Sequence, residues 1–103
     1  METKKVLLWL IKNGFKFTNK GVQYLADAIC LYHKYPKDLI TAFYSDIGEK
    51  NNVLSHSVER CIRNAIQTQW SETTFAQYTT KTPKNSEAIY LLELIYFEGD
   101  NNG

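Results

Sequence analysis

The chain is poor in the residues that staple or punctuate a fold. Among its 103 residues are two cysteines, Cys30 and Cys61, two prolines, Pro36 and Pro83, and two histidines, His33 and His56. Two cysteines without a secretion signal make no disulfide framework. Both fall at apolar positions of helical patterns, so they read as reduced, buried thiols. No second Cys or His stands at ligand spacing from either, so no metal site is expected. The longest apolar run is Val6 to Ile11, far short of the roughly 20 residues that a membrane-spanning helix needs. It lacks a small-residue cleavage site, and the default location is therefore the cytoplasm. Phosphate-cradling glycine loops, nucleophile–base pairs and paired-carboxylate motifs are missing as well. An enzyme, a cofactor and a small-molecule substrate are accordingly not expected. An excess of one charge is also lacking, with 12 basic residues against 11 acidic ones.

What is present is material for a core. Hydrophobic residues make up 44% of the chain, enough for one compact domain without staples. The charge is unevenly spread: residues 1–50 carry a balance of +3, residues 51–85 of +2 and residues 86–103 of −4. A basic front with an acidic tail is compatible with a surface that faces DNA, and equally with ordinary surface scatter.

The apolar patterns are helical throughout. Val6, Leu7, Leu10 and Ile11 form one stripe, closed by Asn13-Gly14 as a stop signal. A second helix is predicted from about Asn19 to Lys34, with Val22, Leu25, Ala26, Ile29, Cys30 and His33 on one face. Pro36 ends it. A helical turn over Lys37 to Phe43, with Leu39, Ile40 and Phe43 inward, precedes a compact helix from about Tyr44 to Lys50. Asn51-Asn52 then makes a polar turn. A long helix follows from about Ser55 to Trp70, burying Val58, Cys61, Ile62, Ala65, Ile66 and Trp70. A short element covers Thr73 to Tyr78, and Thr79 to Lys84 is a loop. A last helix spans about Asn85 to Phe97, with Ile89, Leu92, Ile95 and Tyr96 for packing and Ser86 and Glu87 at its start. The expected architecture is an all-α, compact bundle of five to six helices over residues 1–98, with a disordered tail over 99–103.

The informative unit is Tyr44 to Trp70: a short helix, a tight polar turn and a long amphipathic helix. That is the outline of a helix-turn-helix, whose second helix lies in the major groove while the first braces it. Readers of bases must be exposed and near the start of that helix. Arg60 and Arg63, spaced i, i+3, meet both conditions and present the planar fork that matches guanine. Glu59 suits a cytosine amino group, and Asn64 and Gln67 suit bases or phosphates. His56 stands where it meets phosphate or solvent, and Lys50 in the bracing helix is placed to hold a phosphate. The same pattern describes many solvated helix faces, and the outline alone does not separate the two. His33, on an apolar face, reads as packed rather than catalytic. Tyr44, Phe75 and Tyr78 read as core rather than as an aromatic binding surface.

These residues also carry a resemblance. SVERCIRNAI followed by Trp70, YSDIGEKNN upstream, the helix GVQYLADAICLY and the segment PKNSEAI resemble the C-terminal DNA-binding domain of the sporulation stage-zero A response regulator family. The likeness covers roughly Val6 to Tyr96. It implies an all-helical fold with its recognition helix at Ser55 to Trp70. The family's acidic reader falls on Glu59, its two reading arginines on Arg60 and Arg63, and its bracing-helix lysine on Lys50. It further implies recognition of a TGTCGAA-like box in double-stranded DNA, often two boxes in tandem bound by a homodimer, and a role in transcription regulation.

The chain departs from that pattern. His56 and Ser57 stand where the family has Ser then Arg, so a phosphate-contacting arginine is missing and Ser55 is left as the helix cap. Glu49 stands where a lysine is common, and Asn64 replaces a histidine. Base readout is expected to survive with weaker backbone affinity. The family regulator carries a phosphate-accepting receiver domain ahead of this one. The chain reads as an excised domain or a stand-alone relative. Its divergence favours the latter, which phosphorylation would not switch in the family's manner. The competing function is a protein-interaction module of the same fold that has lost DNA binding. Retention of Arg60 together with Arg63 argues against it.

Overall fold

A computed structural model describes residues 2–17, 20–36 and 40–99, without the side chains of Ile40 and Thr41. Among the described residues five α-helices follow one another: α1 (Glu2–Lys12), α2 (Lys20–Lys34), α3 (Ile40–Asn51), α4 (Ser55–Gln69) and α5 (Asn85–Leu94). Two 3₁₀ turns, Trp70–Glu72 and Thr74–Tyr78, link α4 to the loop before α5, and Ile95–Gly99 extends α5 as a wider π-type turn. No strand occurs among the described residues. The all-α bundle expected from the apolar periodicity is therefore what the chain forms.

α2 is the hub and packs against α1, α3, α4 and α5. A helix enclosed on most sides buries more than one stripe. Tyr24, Asp27 and Ala28 are accordingly buried together with Val22, Leu25, Ala26 and Ile29. Cys30 is half-buried, and both cysteines are free thiols. Burial pushes the Cys30 thiol above its ordinary pKa. His33 lies at the exposed end of the expected stripe. Its ring stacks on Phe97 with centroids 3.6 Å apart, and its Nδ1 is 2.9 Å from a Glu93 carboxylate oxygen.

α1 stops where the sequence says it does. Gly14 takes φ +116°, the Phe15 N–H donates to the Leu10 carbonyl at 3.0 Å and the Gly14 N–H to that of Ile11 at 3.1 Å. This paired closure needs a left-handed residue, which glycine supplies without strain. A Cβ at Gly14 would also lie 2.8 Å from the Thr73 Cα. The turn is thus wedged against the chain that leaves α4, and the Thr74 N–H donates to the Asn13 carbonyl there at 2.9 Å. Val6 and Leu10 are fully buried, whereas Ile11, expected on the same stripe, is 38% exposed.

Behind α4, Trp70 is 1% exposed. Its ring lies 6.3 Å from Phe15 and 5.8 Å from Phe75, and its indole N–H donates to the Thr79 hydroxyl at 2.9 Å. Tyr44 and Phe75 are core residues as expected, but Tyr78 is exposed.

Several boundaries differ from the sequence reading, among them the end of α5, which stops at Leu94 rather than Phe97. α3 is one continuous helix from Ile40 rather than a turn followed by a helix from Tyr44. Phe43, Tyr44 and Ile47 are all buried along it, so i, i+1, i+4 packing runs across the expected break. Trp70 begins a 3₁₀ turn instead of ending α4. Gly99, assigned to the tail, still belongs to the π-type turn. The expectations for Asn19, Lys37 to Leu39, the inward side chain of Ile40 and residues 100–103 lie outside the described residues.

Candidate nucleic-acid interface

α3 and α4 pack against each other and are joined by Asn52, Val53 and Leu54. Asn52 takes φ 60°. The Val53 N–H donates to the Gly48 carbonyl at 2.8 Å, and the Asn52 N–H to the Glu49 carbonyl at 3.4 Å. This closes α3 with an asparagine in the left-handed position, one of the few non-glycine residues that tolerate it. The turn folds back so closely that a Cβ at Gly48 would lie 2.5 Å from the Val53 carbonyl oxygen. Gly48 therefore sets the angle at which α4 leaves.

α4 begins with Leu54 as its N-cap, extended and without a side-chain cap bond. Ser55 is already the first helical residue, which corrects its expected role as the cap. No acidic residue occupies the first turn. The unneutralised N–H groups and the positive end of the helix dipole thus face outward beside exposed Ser55 and His56 and half-buried Ser57.

The buried stripe of α4 is Val58, Ile62, Ala65 and Ile66, with Cys61 half-buried beside it. With 3.6 residues per turn, His56, Arg60, Arg63 and Gln67 fall together on the opposite face, Glu59 to one side and Asn64 to the other. Arg60, Arg63, Asn64 and Gln67 line one shallow groove of about 300 Å³. The chain's only two arginines are thus brought together.

The two differ in their partners. Arg63 Nη1 donates to both Glu59 carboxylate oxygens, at 3.0 Å to Oε1 and 2.9 Å to Oε2. The side chains of this pair remain 49% and 32% exposed. Arg60 makes no ion pair among the described residues.

Lys50 is not brought to this face. Its ammonium lies 3.4 Å from the Asp27 carboxylate, and it lines a separate groove with Thr3, Cys30 and Asp46. Asp27 is 4% exposed, and its second oxygen has no hydrogen-bond partner among the described residues. Burial pushes its carboxyl above the usual carboxylate range, while the Lys50 charge pulls the other way. The sequence reading missed Asp27 because it lies off the apolar stripe of α2.

A second residue beyond the sequence reading is Asn85. Its amide donates to the Tyr44 hydroxyl and to the Glu59 backbone carbonyl, both at 3.1 Å. It ties α5 and α3 to α4 beside the readers. Glu87 stands at the start of α5 as expected, and there the Lys84 N–H donates to its carboxylate at 3.0 Å. Lys84 and Ser86 join Tyr44, Glu59, Arg63 and Gln67 around a groove of about 530 Å³. No sequence pattern linked Lys84 to α4, since it lies 21 positions beyond Arg63 and outside that helix.

Among the described residues no helix is long and apolar enough to cross a membrane. They also hold no group of three or more His, Cys, Asp or Glu side chains able to bind a metal.

α3, the turn and α4 form a helix-turn-helix inside an all-α bundle, with both arginines displayed on the second helix. The family model described as sporulation initiation factor Spo0A C terminal matches residues 6–94, and the chain belongs to that family. It is a family of DNA-binding domains of a sporulation regulator, not an enzyme family. Comparison with curated proteins gives no match.

Proposed function

We propose that the chain binds double-stranded DNA sequence-specifically, with α4 in the major groove, and regulates transcription. The observation that carries this reading is the exposed face of α4, where Arg60, Arg63, Asn64 and Gln67 share one groove beside an uncapped, positively polarised helix start. Arg60 and Arg63 read guanines, and Glu59 accepts from a cytosine amino group. Ser55, His56 and Ser57 meet phosphates at the helix start, where backbone N–H groups favour anions. Asn64 and Gln67 flank the readers. Lys50, held at Asp27 and lining a separate groove, is not part of this interface. The target is a TGTCGAA-like box, and two tandem boxes recruit two copies of the chain.

The test is titration of a duplex carrying the box against a scrambled duplex at several stated salt concentrations. The box is expected to bind more tightly, with Arg60→Ala removing roughly 1–3 kcal/mol of the discrimination. A parent chain that binds both duplexes equally refutes specific readout. A parent chain that binds neither makes the fold an interaction module.

A further inference from the structure

We propose that the first turn of α5 is a second contact to the DNA backbone, in which Lys84 and the Ser86 hydroxyl hold one phosphate outside the bases read by α4. The proposal rests on the DNA-binding reading above and extends the footprint to an element outside the helix-turn-helix.

Position is the first argument. The Asn85 amide bonds the Glu59 carbonyl at 3.1 Å, which sets the start of α5 beside the reading face of α4. Lys84, Asn85 and Ser86 therefore form one wall of the 530 Å³ groove whose other wall holds Glu59, Arg63 and Gln67. A phosphate on the strand that borders the major groove meets such a wall when α4 lies in the groove.

Charge is the second argument. Glu59, the one acid in the lining, has its carboxylate engaged by Arg63 at both oxygens. The Tyr44 phenol is held neutral at ordinary pH, since burial pushes its pKa up. Lys84 makes no ion pair among the described residues. Glu87, the acid of the same turn, has its carboxylate drawn onto the Lys84 backbone N–H and borders the neighbouring groove with Tyr78 and Pro83. What remains is a lysine, a hydroxyl and the positive end of a ten-residue helix, a combination suited to an anion.

The third observation is Asn85 itself, nine-tenths buried. The Glu59 carbonyl can only accept, which fixes which end of the Asn85 amide faces it. Its oxygen is left buried without a partner among the described residues. An unsatisfied acceptor on a residue that lines the groove is a cost the free chain carries, relieved only if binding admits a donor such as a water to it.

The experiment compares the parent chain, Lys84→Gln and Ser86→Ala on box and scrambled duplexes across a salt series. Lys84→Gln is expected to weaken both duplexes alike, several-fold at low salt, and to make the slope of log affinity against log salt shallower by about 0.9. Ser86→Ala is expected to weaken both by a smaller factor. Duplexes carrying single neutral methylphosphonates outside the box then locate the partner. At one position the parent and Lys84→Gln should bind equally, because the charge that Lys84 meets is gone. Lys84 is exposed and its side chain is in no ion pair among the described residues, so an unchanged melting temperature is expected. If the parent binds DNA but Lys84→Gln leaves the slope unchanged, the α5 contact is overturned while the α4 reading stands. A weakened variant with no methylphosphonate position that erases the difference also overturns it. A parent that binds no DNA overturns both.

Discussion

Glu59→Gln tests how the reading face is wired. In the free chain Arg63 Nη1 is bonded to both oxygens of the Glu59 carboxylate. The question is whether this withholds Arg63 from DNA or aims it. An exposed i, i+4 ion pair is worth about 0.3–0.5 kcal/mol, and half of the Arg63 side chain is in solvent. A bidentate arginine–guanine contact is worth roughly 1–3 kcal/mol. The DNA contact wins, so Glu59 aims Arg63 without restraining it. Removing the charge should therefore cost little stability, under about 0.5 kcal/mol. It should strengthen binding to scrambled DNA, since one acid near the phosphates is gone. Discrimination should fall by roughly 1–3 kcal/mol at the base pair whose cytosine Glu59 contacts. Titrations of box, single-substituted boxes and scrambled duplex separate these effects. Unchanged affinity for scrambled DNA together with unchanged discrimination would refute the reasoning and place Glu59 away from the interface.

Other outcomes follow from the core and the turn. Trp70→Ala should destabilise by about 3–5 kcal/mol, lowering Tm by about 12 °C or more on a calorimetric scan; an unchanged Tm would mean that the aromatic cluster tolerates the loss of its centre. Gly48→Ala places a Cβ against the Val53 carbonyl and should destabilise by about 1–3 kcal/mol despite the better helix propensity of alanine. It should also weaken box binding more than scrambled binding, by re-aiming α4; equal weakening would show that the turn does not set the angle. Asp27 has a raised folded-state pKa, so the folded chain binds its proton more tightly than the unfolded chain. Its contribution is most favourable below the ordinary carboxylate pKa and is lost as pH rises through the folded value. Asp27→Asn should therefore gain in Tm over the parent at neutral pH and lose that advantage in acid, and the opposite trend would show that the Lys50 pair outweighs burial.

Much of the fold was legible because its signals are local. Helical periodicity placed the elements, Asn13-Gly14 placed the first stop, and the stripe Val58 to Trp70 identified the inner face of α4 and so its outer one. What was hidden depends on neighbours distant in sequence. Asp27 is buried because α2 is surrounded, which the stripe on α2 alone does not reveal. Lys50 reads as a free cation until α2 brings Asp27 against it. Asn85 and Lys84 come to line the α4 groove only because α5 docks against α2 and α4. Ser55 resembled a cap by composition, but the turn geometry gives that place to Leu54.

The central position of α2 bears on how the domain opens. Because α1, α3, α4 and α5 each lean on it, none of them keeps its buried face once α2 is displaced. The slowest amide protons to exchange with deuterium should be those of α2 from about Val22 to Ile29, released only in complete unfolding. The two helices offered to DNA should not fold as an excised peptide, since the same hub supplies the floor beneath α3 and α4.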